Sequence, residues 1–147
     1  MEKSTNSLEN ILKKTEPDQI ASYLRENAKE LLTERNPFSA YMRLLIREKG
    51  LTQQEVFIRA DLSESYGYKI ISGEKHTSQR DTILRLCIGA GFSLDETQRA
   101  LKIYGMSPLY ARVPRDAAIM AAIHKGTPDI TIVNDVLQQN GMSPLLE

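Results

Sequence analysis

The sequence predicts an all-α fold, and three observations carry that expectation. Apolar residues recur at spacings of three and four along most of the chain. Alternating runs of β-branched residues, the pattern of half-buried strands, are absent. Two words, Thr52-Gln53-Gln54-Glu55 and Ser93-Leu94-Asp95-Glu96, have the hydroxyl-to-glutamate spacing of a capping box, and glycines stand where helices should stop. The expected architecture is a small helical core with an N-terminal helix before it and a duplicated helical hairpin after it.

Taken in order, residues 1–15 are polar at first and then carry Leu8, Ile11 and Leu12, which fits either a short helix or a loose lead. A clearer helix begins at Pro17 and runs to about residue 34, with Ile20, Leu24, Ala28, Leu31 and Leu32 on one face. Asn36-Pro37 breaks it. The first core helix follows over about Ser39–Lys49, packing through Tyr41, Leu44 and Leu45 and ending at Gly50. Thr52 caps a short helix and Ser63 caps the next, which Gly73 stops. A loop over residues 73–77 leads to a helix over about Ser78–Ala90, stopped by Gly91. The Ser93 capping box starts a last core helix that reaches about Tyr104 and ends at Gly105.

Beyond Gly105 the chain repeats itself. Arg80-Asp81 returns as Arg115-Asp116, Ile88 as Ile123 and Gly91 as Gly126, all at an offset of 35. Leu101 returns as Leu137, and Gly105-Met106-Ser107-Pro108-Leu109 returns unchanged as Gly141-Met142-Ser143-Pro144-Leu145, now at an offset of 36. A period of this size marks a duplicated helix hairpin. A lone hairpin cannot bury its apolar face, so the second copy is expected to stack on the first and extend the core. Ala117, Ala118, Ala121 and Ala122 give its first helix a small face that a partner helix can approach closely. Leu109 and Leu145 should fold back against their own hairpins. The chain thus divides into an N-terminal helical arm (1–36), a core domain (37–110) and a C-terminal hairpin (111–147) that repeats 80–110.

Residues 51–73 read as two short helices joined by a tight turn, with Val56, Ala60, Leu62, Ile70 and Ile71 placed for packing between crossed helices. That is the geometry of a helix-turn-helix, whose second helix can enter a DNA major groove. From Phe38 to Leu101 the chain resembles the lambda-repressor-like (XRE/Cro-type) helix-turn-helix family. The resemblance rests on Leu51-Thr52-Gln53-Gln54-Glu55, Leu62-Ser63-x-Ser65, Ile70-x-x-Gly73, Ser78, Leu84 and Gly91-Phe92-Ser93-Leu94-Asp95-Glu96. It covers well under half of the chain. Three departures stand out. The family usually has a small residue at Phe57, a β-branched one at Gly67 and often glycine at Asp61. The first two face each other between the helices, so the ring should lie over Gly67, a volume-conserving exchange. A helix-interior glycine still costs roughly 0.5–1 kcal/mol. Aspartate tolerates the left-handed backbone that the turn needs.

The resemblance implies that Glu64, Ser65 and Lys69 hold positions that reach base edges and that Gln53 braces the first of them and touches a phosphate. Tyr66, Tyr68 and Ser72 complete the outer face of the second helix, where each tyrosine can meet DNA or simply pack on the surface. Glu64 can accept a bond from cytosine N4 or merely favour the positive end of its own helix. Lys69, Lys75, His76 and Arg80 form the best phosphate-binding group. The expected function is sequence-specific binding of double-stranded DNA in transcriptional regulation, with the helix over about 63–72 in the major groove. The alternative is a protein-interaction module, antitoxin-like or adaptor, built on the same fold. One module covers a short half-site, so a homodimer is expected. The helix at 17–34 and the hairpin at 115–146 are candidate dimer surfaces, the hairpin preferred because its far side has nothing to stack on.

Composition bounds these readings. Formal net charge is zero, so bulk charge does not argue for nucleic acid. Residues 37–92 nevertheless carry eight Lys/Arg against six Asp/Glu, and the excess falls on the helix-turn-helix region. The single cysteine, Cys87, lies in an apolar stretch and reads as a core thiol. His76 and His124 are far apart with no Cys or His cluster nearby, so neither a metal nor another cofactor is expected. No nucleophile–base arrangement suggests an enzyme. No signal-peptide or membrane-spanning run is present, which makes a cytoplasmic protein the default expectation.

Overall fold

The structure, a computed structural model, describes residues 5–28 and 36–146 and falls into two units, Met1–Arg35 and Asn36–Glu147. Among the described residues there are nine α-helices and no strand.

The first unit holds α1 (Thr5–Lys13), a 3-10 turn at Pro17–Gln19 and α2 (Ile20–Glu26). Of the expected helix at 17–34, Pro17–Gln19 is a 3-10 turn and α2 ends at Glu26, while residues 29–34 lie outside the described residues. The stop of α2 is local: the Asn27 backbone N–H and side-chain amide both donate to the Tyr23 carbonyl, at 3.0 Å each. Asparagine competes in this way for helix carbonyls and favours helix ends. Ile20 and Leu24 are exposed, and Tyr23 between them is buried. Leu31 and Leu32 lie outside the described residues.

The second unit is built from α3 (Pro37–Glu48), α4 (Gln53–Ala60), α5 (Glu64–Ser72), α6 (Arg80–Gly89), α7 (Leu94–Tyr104), α8 (Pro114–Lys125) and α9 (Ile130–Gln139). Asn36-Pro37 starts α3, two residues earlier than expected. The Asn36 side-chain oxygen accepts from Ser39 N–H, and proline fits the first helical position, where no N–H is needed. The same Asn36 amide donates to the Ser72 carbonyl at 2.7 Å, so one side chain caps the start of α3 and the end of α5. Tyr41 and Leu45 enter the core as expected, while Leu44 is exposed. The helix α6 begins at Arg80 rather than Ser78. Both capping boxes form, Thr52 with Glu55 and Ser93 with Glu96. Asp61 takes the left-handed conformation, φ 53°, between α4 and α5.

One contiguous apolar core unites α3 to α9 and includes Met42, Leu45, Val56, Phe57, Ile70, Leu84, Leu101, Ile119 and Leu137. Cys87 is fully buried within it, and burial pushes its thiol pKa up. The helices α4 and α6 cross closely at Gly89, where an added Cβ would lie 2.8 Å from the Val56 carbonyl oxygen.

The hairpins α6–α7 and α8–α9 are the two sequence repeats. Leu84 and Ile119, Ile88 and Ile123, and Leu101 and Leu137 are buried at equivalent places. They do not continue as a translational stack: α6 meets α9, and α7 meets α8. Arg80 pairs with Asp116 and Arg115 pairs with Asp81, the latter through two bonds of 3.0 and 2.9 Å. Each arginine also donates to its own hairpin's closing turn, Arg80 to the carbonyls of Ser107 and Pro108, Arg115 to those of Ser143 and Pro144. Each aspartate accepts a backbone N–H just past the same motif, Asp116 from Tyr110 and Asp81 from Leu146. Such reciprocity, in which i meets j and j meets i, is a two-fold relation that closes on itself. Burial alone would raise the Asp81 pKa, but the Arg115 hydrogen bonds, the Leu146 N–H and the charges of Arg115 and Arg80 hold it below the usual carboxylate value.

Candidate nucleic-acid interface

Two helices of eight and nine residues, α4 and α5, are joined across Asp61, Leu62 and Ser63. The inner side of α5 is fixed by shape. A Cβ built on Gly67 would fall under 3.0 Å from three Phe57 ring carbons, so the ring occupies the space that a side chain would need. Phe57 is buried, and Tyr68 packs edge-on against it with ring centroids 4.9 Å apart. The expected exchange of bulk between positions 57 and 67 is therefore present. Ile70 and Ile71 are fully buried and anchor the last turn.

The outer side of α5 is open. Glu64, Ser65, Tyr68, Lys69 and Ser72 are exposed, and Tyr66 is half-buried. Ser63 caps the helix by accepting from Tyr66 N–H. Gln53, half-buried at the start of α4, has its own helix end held by the Thr52 box.

At the far end of α5 the chain turns through Gly73, φ 85°, and the Lys75 N–H donates back to the Lys69 carbonyl at 3.0 Å. This turn carries Lys75 beside the helix, with its ammonium 5.5 Å from the Tyr66 ring centroid. Ser72 Oγ donates to the Lys69 carbonyl and accepts from Glu74 N–H. His76 stacks flat on Tyr104 at 4.6 Å, and the Tyr104 hydroxyl accepts from Thr77 N–H at 2.8 Å. Burial raises the Tyr104 pKa, with the nearby Tyr66 adding to it and the Thr77 bond opposing it. Lys69, Lys75 and His76 are exposed cations or potential cations along one turn.

Arg80, expected with them, is committed elsewhere: its guanidinium is held by Asp116 and by the Ser107 and Pro108 carbonyls. The reason is tertiary, since Asp116 comes from the second repeat.

Arg85 is the residue that sequence reasoning passed over. It is 2 % exposed inside an apolar helix, and its guanidinium donates to the carbonyls of Ala60, Asp61 and Leu145 at 3.0, 3.1 and 2.9 Å. It thereby satisfies the end of α4 and the left-handed turn, and ties both to the end of the second hairpin. A lone arginine among Ile83, Leu84, Leu86, Cys87 and Ile88 was the available signal. Charged side chains are almost never fully buried unless paired.

Among the described residues no group of three or more His, Cys, Asp or Glu side chains is gathered in a way that could hold a metal ion, and no helix is long and apolar enough to cross a membrane. Comparison with protein-family models, with curated proteins and with solved structures finds no match to this chain.

Proposed function

We propose that this protein is a sequence-specific DNA-binding protein of the lambda-repressor-like helix-turn-helix type, acting in transcriptional regulation. The observation that carries the proposal is the two-sidedness of α5. Its inner side is locked by Phe57 against Gly67, and its outer side, from Glu64 to Ser72, is exposed and polar. An α-helix presented in this way fits the major groove. Ser65 and Lys69 would reach base edges, with Glu64 accepting from cytosine. Lys75 and Gln53 would hold phosphates, and these contacts set register without reading sequence. Glu64 at the leading end and the zero net charge favour a second reading, a protein-interaction module on the same fold.

Selection of bound duplexes from a random pool at two salt concentrations separates the two. The DNA reading expects enrichment of one short motif and steep loss of binding as salt rises. Lys69→Ala should weaken binding and reduce the salt slope by about one. Glu64→Ala should change the enriched motif. A pool that emerges without enrichment at low salt removes the DNA reading and leaves the interaction module.

A further inference from the structure

The closing turns of the two hairpins are anchored differently. In the first, the Gln98 side-chain amide holds both backbone groups of Leu109: its oxygen accepts from the Leu109 N–H at 2.7 Å and its nitrogen donates to the Leu109 carbonyl at 2.8 Å. The equivalent residue of the second hairpin, at an offset of 36, is Asn134, whose side chain is shorter by a methylene. Asn134 accepts from the Leu145 N–H at 2.8 Å, and the Leu145 carbonyl is taken by Arg85 at 2.9 Å instead. The same guanidinium donates to the carbonyls of Ala60 and Asp61, so it joins this closing turn to the α4–α5 turn. Asp81, about one helical turn before Arg85, accepts the Leu146 N–H, and the closing segment thus lies along one face of α6. The first hairpin has no such link, because Gln98 satisfies its turn internally and Met120 stands where the second would need an arginine.

We propose that the closing turn of the second hairpin is a control point for the α4–α5 turn, so that whatever lifts residues 144–146 off α6 resets the turn that aims α5. The Arg85 guanidinium is buried, and a buried charge that loses a partner must find another. A substitute stands beside it. The Asp61 side chain is 79 % exposed, and its carboxylate lies 3.6 Å from the same guanidinium, too far for a hydrogen bond. Two arrangements follow. With the closing turn seated, three carbonyls share the guanidinium and the Asp61 carboxylate stays in solvent. With the closing turn lifted, the carboxylate closes on Arg85 and pulls on the left-handed residue, φ 53°, through which α4 passes into α5. An element with two discrete arrangements is what coupling between separate surfaces requires.

The coupling concerns the turn alone and holds whether α5 meets DNA or a protein, so its test contains no DNA. Amide hydrogen exchange of the full chain, followed residue by residue by NMR, reads the Asp61 and Leu62 N–H groups, which are bonded to the carbonyls of Ile58 and Phe57. Asn134→Ala removes the amide that holds Leu145, and Gln98→Ala makes the same change in the first hairpin. Asn134→Ala should speed exchange at Asp61 and Leu62 about fivefold, the worth of one hydrogen bond, whereas Gln98→Ala should leave both unchanged. The Leu146 N–H reports whether the turn has lifted, because neither variant touches its bond to Asp81. Where Leu146 stays protected, Leu145→Ala lifts the turn by removing its buried side chain, with Leu109→Ala as the matching control. Equal acceleration at Asp61 and Leu62 by the variants of both hairpins overturns the proposal. So does a lifted turn that leaves Asp61 and Leu62 unchanged, an acceleration spread evenly over α3 to α9, or a turn that neither variant lifts.

Discussion

The two hairpins share their left-handed glycines, their closing turns and their Arg–Asp exchange, yet they face different surroundings. On α6 the outward positions are Ile83, Leu86 and Cys87, all sealed. On α8 they are alanines in a groove. Gly89 presses its backbone on α4, whereas His124 at the equivalent place is exposed. Arg85 caps the turn before α5, whereas its counterpart Met120 makes no such bonds in kind. Backbone architecture is common to both repeats because it depends on glycine stops and on reciprocal pairs. Side-chain volume diverged because it follows whatever lies opposite.

The sharpest way to break this comparison is to give α6 the residue of α8. Arg85→Met keeps much of the volume and removes a buried charge with three carbonyl partners. Those carbonyls would be left without a donor, and the loss should be about 3–5 kcal/mol, read from urea denaturation. The Ala60–Asp61 turn should loosen first, seen as faster amide exchange in α5. Leu86→Ala, the same transplant at a purely apolar position, should cost about 2–5 kcal/mol through the cavity it opens. The opposite transplant, Ala121→Leu, enters an open groove and should change the stability of the single chain by no more than about 0.5 kcal/mol. Equal effects of the two leucine–alanine exchanges would mean that the hairpins are not in different environments.

A milder comparison concerns how bulk is lost. Alanines stand on α8 where α6 has larger residues, with no filler opposite them, but Gly67 on α5 is matched by Phe57. Gly67→Ala should therefore cost about 1–3 kcal/mol from overpacking against the ring. The same change in a Phe57→Leu background should cost clearly less, and the difference is the coupling between the two positions. Additive effects in that cycle would show that the ring and the glycine are not matched.

Local signals were legible in the sequence and distant ones were not. The Thr52–Glu55 and Ser93–Glu96 boxes, the left-handed Asp61 and the Gly73 and Gly105 stops are interactions within a few residues, and all are present. The match of Phe57 with Gly67 was legible because two departures from a familiar pattern fell at facing positions. The start of α3 is ambiguous in the sequence because Asn36-Pro37 reads equally as a breaker and as a cap with proline at the first turn. The stop of α2 at Glu26 is not legible because apolar spacing continues past Asn27. Arg80-Asp81 and Arg115-Asp116 were visible as repeat markers, but their crosswise pairing joins residues 34 and 36 apart. The same pairing withdrew Arg80 from the phosphate group expected of it. For the candidate site, the exposed face of α5 follows from period and caps, while the burial of Arg85 follows only from the folded core.

A pH-dependent effect bears on the reciprocal exchange itself. Asp81 has its carboxyl pKa lowered in the folded chain, despite burial, by the Arg115 bonds, the Leu146 N–H and the two arginine charges. A group whose folded pKa lies below its unfolded value, about 3.9 for aspartate, stabilises the fold above that value and loses the contribution as pH falls through the folded pKa. Stability should therefore decline with acid below about pH 4. Asp81→Asn keeps the shape but not the charge, and should lower stability at neutral pH by about 1–2 kcal/mol, the worth of a charge-assisted bond. It should also flatten the acid limb, because the proton uptake that drives it is gone. Urea denaturation of the wild type and the variant from pH 6 to about pH 3 measures both effects against the ordinary carboxylate range. If the acid limbs of the two proteins coincide, the Arg115–Asp81 half of the exchange contributes nothing to holding the hairpins together, and the two-fold pairing rests on its apolar residues alone.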